Sequence, residues 1–105
     1  MINTGTDRPP AVTELRGTGE PGGIVLDWTP VSWEVVVDHY AVYAAENADD
    51  VEIEPSTLLT KTVFPHADHD DLGGQARRWV YRVVTVDAAG ARSEPSAPVT
   101  VTSQA

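Results

Sequence analysis

"RRWVYRVVTVDAAGARSEPS", residues 77–96, carries the longest and most β-branched run of the chain, "RRWVYRVVTVD" (77–87), followed by a glycine-bearing turn. β-Branched and aromatic side chains suit a pleated, packed surface, so this run reads as the central strand of a sheet. Trp79, Tyr81 and Val83 fall in phase and point to one side, as period-two geometry requires. "PVTVT" (98–102) reads as a last strand. Pro95 and Pro98 beside it remove ladder donors, which predicts an irregular or edge strand.

Working outward, apolar residues recur with the same period of two, and Gly, Pro, Asn and Asp punctuate them at intervals of about ten residues. "GIVLDWTP" (23–30) sets Ile24, Leu26 and Trp28 on one face, with Val25 and Asp27 on the other. "VDHYAVYAA" (37–45) sends Tyr40 and Val42 inward and Tyr43 to the opposite face. "AVTEL" (11–15) is a short first strand behind the stiff Pro9-Pro10 entry. "TLLTKTVF" (57–64) reads as a strand with apolar residues on both parities, and "GGQA" (73–76) as a turn. About seven strands in 105 residues predict an all-β chain, a seven-stranded antiparallel β-sandwich held without disulfides, since the chain has no cysteine. The expected domain is 9–103, behind a flexible leader at 1–8. Its predicted core is Ile24, Leu26, Trp28, Tyr40, Val42, Leu72, Trp79, Tyr81 and Val83.

These stretches resemble the fibronectin type III family over residues 9–103. "PPAVTEL" is similar to the family's first strand, "IVLDW" to its second with the core tryptophan, and "VDHYAVY" to its third. "WVYRVVTVDAAGARSEPS" resembles the ending of bacterial members, with Asp87, Gly90, Ser93 and Ser96 in step. Two positions depart from the pattern. Trp79 stands where the family places a corner tyrosine, and an indole donates one hydrogen bond but accepts none. Thr85 stands where alanine is usual. The resemblance implies an immunoglobulin-like sandwich with a filled core and no catalysis of its own. It also implies a place among the accessory and docking modules of secreted bacterial enzymes that attack polysaccharides. The Arg-Gly-Asp adhesion turn of some members is replaced here by "DAAGAR" (87–92).

The formal charge of −9 is unevenly spread. Residues 27–71 hold eleven acids against Lys61 alone, whereas residues 72–105 hold four arginines against Asp87 and Glu94. A chain this acidic repels phosphate backbones and anionic lipid heads, so neither nucleic acid nor membrane is an expected partner. No apolar run reaches the roughly 18–20 residues of a membrane span, and "MINTGTDRPP" lacks the features of a secretion signal. The chain is therefore either cytoplasmic or a module of a longer precursor; the resemblance implies the second, a monomeric module, extracellular as part of a longer secreted protein, whose partners are neighbouring domains.

Three stretches invite a site. "FPHADHDDL" (64–72) packs two of the three histidines with three aspartates. On a strand, His66, Asp68 and Asp70 point one way, but a rise of ~3.3 Å per residue spreads them too far for one ion. His66 and Asp68 are the only weak metal candidates there, and a solvated edge that discourages strand pairing is the favoured reading. "ENADDVEIE" (46–54) echoes part of a calcium loop in Asn47, Asp49 and Asp50 but lacks its central glycine. Trp33, in the connection "PVSWEVV" (30–36), and Tyr43 are the aromatic candidates for stacking on polysaccharide or docking a neighbour. No nucleophile elbow, phosphate loop or His-Glu-x-x-His helix is present, so no enzyme and no cofactor is expected.

Overall fold

The computed structural model describes residues 8–31 and 36–105. Among them the alternation becomes seven strands: β1 (Thr13–Glu20), β2 (Gly23–Thr29), β3 (Val37–Glu46), β4 (Leu58–Thr62), β5 (His66–His69), β6 (Arg78–Asp87) and β7 (Val99–Thr102). They form two antiparallel sheets, β1-β2-β5 and β4-β3-β6-β7. The expected seven-stranded sandwich is the observed one. The connections at 63–65 and 88–91 lie at the end where β2 stops and β3 begins, with Asp27 facing His66 and Val37 facing Asp87.

Between the sheets, period-two alternation delivers Ile24, Leu26 and Trp28 from β2, Tyr40 and Val42 from β3, and Tyr81 and Val83 from β6. Leu72, Val12, Ala67 and Val101 complete this cluster, and all eleven are buried. Trp79 is only partly buried and packs against their edge. Trp28 meets Tyr40 edge-on, with ring centroids 5.3 Å apart, and the Tyr40 hydroxyl accepts a bond from the Val31 amide at 3.1 Å.

β6 lies between β3 and β7 and is buried on both faces, with Val80 and Val84 covered as fully as Tyr81 and Val83. Its backbone groups have no water to turn to, so each needs a protein partner. β7 pairs only with Arg78–Tyr81, because the Pro95–Pro98 segment cannot continue the ladder. Two serines fill the gap. The Ser93 amide donates to the Thr85 carbonyl while its Oγ accepts from the Thr85 amide, both at 2.9 Å. Ser96 does the same to Val83, again at 2.9 Å twice. Each hydroxyl thus stands in for a missing strand carbonyl. The turn before them is closed by Asp87, whose Oδ1 accepts from the Ala89 and Ala91 amides, and by Gly90 at φ +88°. The Thr85 hydroxyl is fully buried and has no hydrogen-bond partner among the described residues, a cost that the usual alanine would avoid.

β1 corrects the expected 11–15 strand. It begins at Thr13, passes a bulge where Glu14 and Leu15 face only Trp28, with Glu14 at φ +57°, and then runs on to Glu20. Glycine lets β1 press against β7. A Cβ on Gly19 would lie 1.9 Å from the Thr102 carbonyl oxygen, and one on Gly17 would lie 2.3 Å from a Val101 methyl. The edges also differ from expectation. Residues 1–7 of the expected leader lie outside the described residues, but Arg8 is tied in, donating to the Arg92 carbonyl at 2.9 Å and pairing with Glu94. At the other end, Gln104 bonds Gly19, Glu20 and Gly22, one residue past the expected boundary.

Two substitutions test this account by urea denaturation. Trp28→Ala should cost ~3–5 kcal/mol, enough to unfold much of a small domain. An unchanged midpoint would remove Trp28 from the core. Ser96→Ala strands the buried Val83 amide and should cost about 1–3 kcal/mol, although it deletes one oxygen atom. A loss no greater than that of an exposed serine would show that the hydroxyl pairing adds nothing.

Candidate functional site

The four-stranded sheet carries a second apolar layer on its outer side. Ala41 and Tyr43 of β3, Val80 and Val84 of β6, and Val51 from the following loop form it, with Ile53 packed against them. The loop is held down by charge. Arg77 grips Glu46 through two bonds of 2.7 and 2.8 Å, and Arg82 grips Asp50 through two of 2.8 and 3.2 Å. Arg78 reaches Asp49 at 3.4 Å. The Glu46 carboxyl is held below its ordinary pKa chiefly by the Arg77 hydrogen bonds. Asp50 is lowered first by the Val51 amide and then by Arg82. The acids that echo a calcium loop are therefore arginine partners, with Val51 and Ile53 pulled onto the sheet behind them.

This arrangement overturns one expectation. Tyr43 does point away from the inter-sheet core, but the loop covers it to 6% exposure. Its hydroxyl accepts a 2.6 Å bond from Arg92. A ring packed under Val51 offers no open face to a sugar or a neighbouring domain.

On β5 the alternation holds. Ala67 is buried against the core, whereas His66 and Asp68 are exposed and bond each other, Nε2 to Oδ1, at 3.0 Å. Among the described residues no third His, Cys, Asp or Glu joins them in a metal-holding group. β5 is the free edge of its sheet, where such charges oppose pairing with another chain.

Trp33 lies outside the described residues. The end of the sandwich where β2 stops and β3 begins exposes three apolar side chains: Val36, Val63 at 65% and Phe64 at 67%. The β4 strand stops at Thr62 rather than 64, and the Thr62 hydroxyl accepts from the Phe64 amide to turn the chain there. Sequence reading passed over Phe64. The available signal was Pro65 directly after it, which marks a turn and leaves the preceding aromatic without a strand face. A shallow groove runs from this tip along Asp38, His39 and Lys61.

No protein-family model matches the sequence, and no curated protein matches it significantly. Solved structures do. An Fn3-like protein from Clostridium thermocellum aligns with a TM-score of 0.71 at 15% identity, over 90% of this chain and 93% of that one. The fold is that of a fibronectin type III domain. The same fold aligns with part of a β-1,2-glucanase from Parabacteroides distasonis, with a TM-score of 0.68 at 19% identity over 93% of this chain. It also aligns with part of a family 28 exopolygalacturonase from Yersinia enterocolitica, with a TM-score of 0.69 at 17% identity over 94% of this chain. The match spans only 13% of the glucanase and 20% of the exopolygalacturonase. Chicken, nematode and human chains share the fold as well.

The corner before β6 is where this fibronectin type III fold is built differently. The Trp79 indole N–H is buried without a partner among the described residues, so it does not tie the corner to any of them. Arg77 does. Its amide donates to Ser103 Oγ at 3.0 Å, its side chain reaches the Leu72 carbonyl at 3.4 Å, and its guanidinium sits 5.7 Å from the Trp79 ring centre. His69 packs edge-on to Trp79 and Tyr81, with its Nδ1 2.8 Å from the Tyr81 hydroxyl. Burial holds the Tyr81 phenol well above its ordinary range.

Burial also lowers the His69 pKa. Arg77 pushes the same way, against the weaker opposite pull of Asp70 and Glu46. The folded state thus favours neutral His69, and as pH falls below about 6.5 the unfolded chain takes up the proton first. Stability should be at its full value above that pH and decline below it. Urea midpoints taken from about pH 7.5 to about 5.5 should fall in the wild type, and His69→Gln should flatten the trend. A slope unchanged by that variant would show that His69 does not carry it.

Proposed function

We propose that this chain is a non-catalytic accessory module that holds or orients neighbouring domains of a larger, secreted, carbohydrate-active bacterial protein. The observation that carries this reading is the recurrence of its fold as a minor segment of two bacterial enzymes named for glucan and polygalacturonate degradation. A fibronectin type III sandwich with its interior filled by side chains supports no cleft that would desolvate a pair of carboxylates. Arg8 and Gln104, both engaged in the sandwich, make 8–104 the unit that would be carried. No helix among the described residues is long and apolar enough to cross a membrane, which is compatible with an exported module.

One observation favours a second reading, a carbohydrate-binding module that uses loop aromatics such as Trp33. Phe64 exposes its ring at the end of the sandwich where β2 stops and β3 begins. Sugar faces stack on such rings, and two aromatics on adjacent loops make a better platform than one.

Amide NMR of labelled protein, titrated with soluble glucans and pectins in calcium-containing buffer, separates the two. An accessory module leaves the spectrum unmoved, before and after EDTA. A binding module shifts resonances around Trp33, Val63 and Phe64, and Phe64→Ala should abolish those shifts without lowering the melting temperature. Either of those last two results would sink the spacer reading.

A further inference from the structure

The arginine ladder leaves two cations over. Arg77, Arg78 and Arg82 each hold a carboxylate, but among the described residues neither Lys61 nor Arg92 has one within ion-pair distance. Lys61 is also the lone cation of residues 27–71. Both line the same groove on the outer side of the four-stranded sheet. Its volume is about 340 Å³, within the range of small-molecule sites.

The groove joins an apolar floor to a basic rim. Ala41, Tyr43, Ile53 and Leu58 contribute the floor and walls, and Leu58 is one of the few large apolar residues left exposed. Arg92 is fixed rather than free to wander, because one guanidinium nitrogen donates to the Tyr43 hydroxyl at 2.6 Å. That bond leaves its other N–H donors to face a ligand. His39 lies beside them, with its Nδ1 2.7 Å from an Asp38 carboxylate oxygen. Glu54 is the one carboxylate of the lining. Two cations against one acid, in a chain of net charge −9, is a local reversal of sign.

We propose that this groove binds a small monocarboxylate with a ring-shaped body, such as an acidic sugar unit. The carboxylate lies between Lys61 and Arg92, and the ring lies against the exposed Leu58. The observations favour a single charge over a polyanion. Screening confines the attraction of the two cations to roughly 8 Å at physiological salt, while the acidic surface beyond them repels further negative charge. This site shares His39 and Lys61 with the groove that runs from the apolar tip, but Val63 and Phe64 do not line it, so it does not depend on the loop-aromatic reading.

The test is an NMR titration with galacturonate, glucuronate and benzoate, using galactose, glucose and benzyl alcohol as neutral controls. The carboxylates should produce saturable shifts at Ile53, Leu58, Lys61 and the Arg92 side chain, with a Kd on the order of 1–10 mM. Neutral controls should bind at least about tenfold more weakly, as expected when a charged hydrogen bond is lost. Lys61→Gln, at an exposed position, should weaken carboxylate binding several-fold while leaving the amide spectrum and melting temperature in place. The proposal is overturned if no saturable shift is seen, if neutral analogues bind as well, if Lys61→Gln binds like the wild type, or if the shifts centre on Phe64 instead.

Discussion

β6 sets the terms for the rest of the molecule because it is covered on both faces. A strand in that position has no solvent to satisfy its amides and carbonyls, and every one of them must meet protein. β3 provides a partner from Trp79 to Asp87 on one side, with a single register shift between Val37 and His39. On the other side the partner ends at Tyr81, and Ser93 and Ser96 take over by pairing backbone and hydroxyl with Thr85 and Val83. The prolines beside them make sense in that light. They end the strand so that serine side chains, which can approach at a different angle, finish the ladder.

The second organising feature is how charge is divided. The acidic middle and the arginine-bearing end look mismatched along the chain, yet β3 and β6 are neighbours in the sheet. Folding brings Glu46, Asp49 and Asp50 onto Arg77, Arg78 and Arg82. Exposed pairs of this kind are individually weak. Their use here is positional, since they hold a loop whose Val51 and Ile53 would otherwise leave Tyr43, Val80 and Val84 open to water. What the ladder does not neutralise is then as informative as what it does, and Lys61 and Arg92 stand out on that account.

Much of the sandwich was legible in the sequence, because a half-buried strand writes its burial directly as alternation. Ile24, Leu26 and Trp28 are the plain case. The misses share a cause, which is that the deciding contact is remote in sequence. Residues 16–20 did not read as strand because Gly17 and Gly19 carry no pattern, and their reason lies at Val101 and Thr102. Tyr43 read as a surface ring because its outward direction is local information, while its cover comes from residues eight and more positions on. Phe64 was hidden inside an apolar run that turns earlier than its composition implies. Ser93 and Ser96 were visible only as members of a motif; the pairing that makes them necessary needed coordinates.

The close approach of β1 and β7 has a mechanical side. Both strands run from the end that holds Thr29 and the 63–65 connection toward the end that holds Gly22, and a parallel bridge between Pro21 and Gln104 extends their alignment. Chain entering before β1 and chain leaving after β7 therefore depart from opposite ends. A pull between them loads the β1–β7 seam in shear, so that the glycine-backed contacts and the Gln104 bonds must yield together, whereas a hairpin unzips one bond at a time. In a protein whose domains are dragged apart, this one would act as a stiff coupling that resists by sliding friction between two strands rather than by peeling.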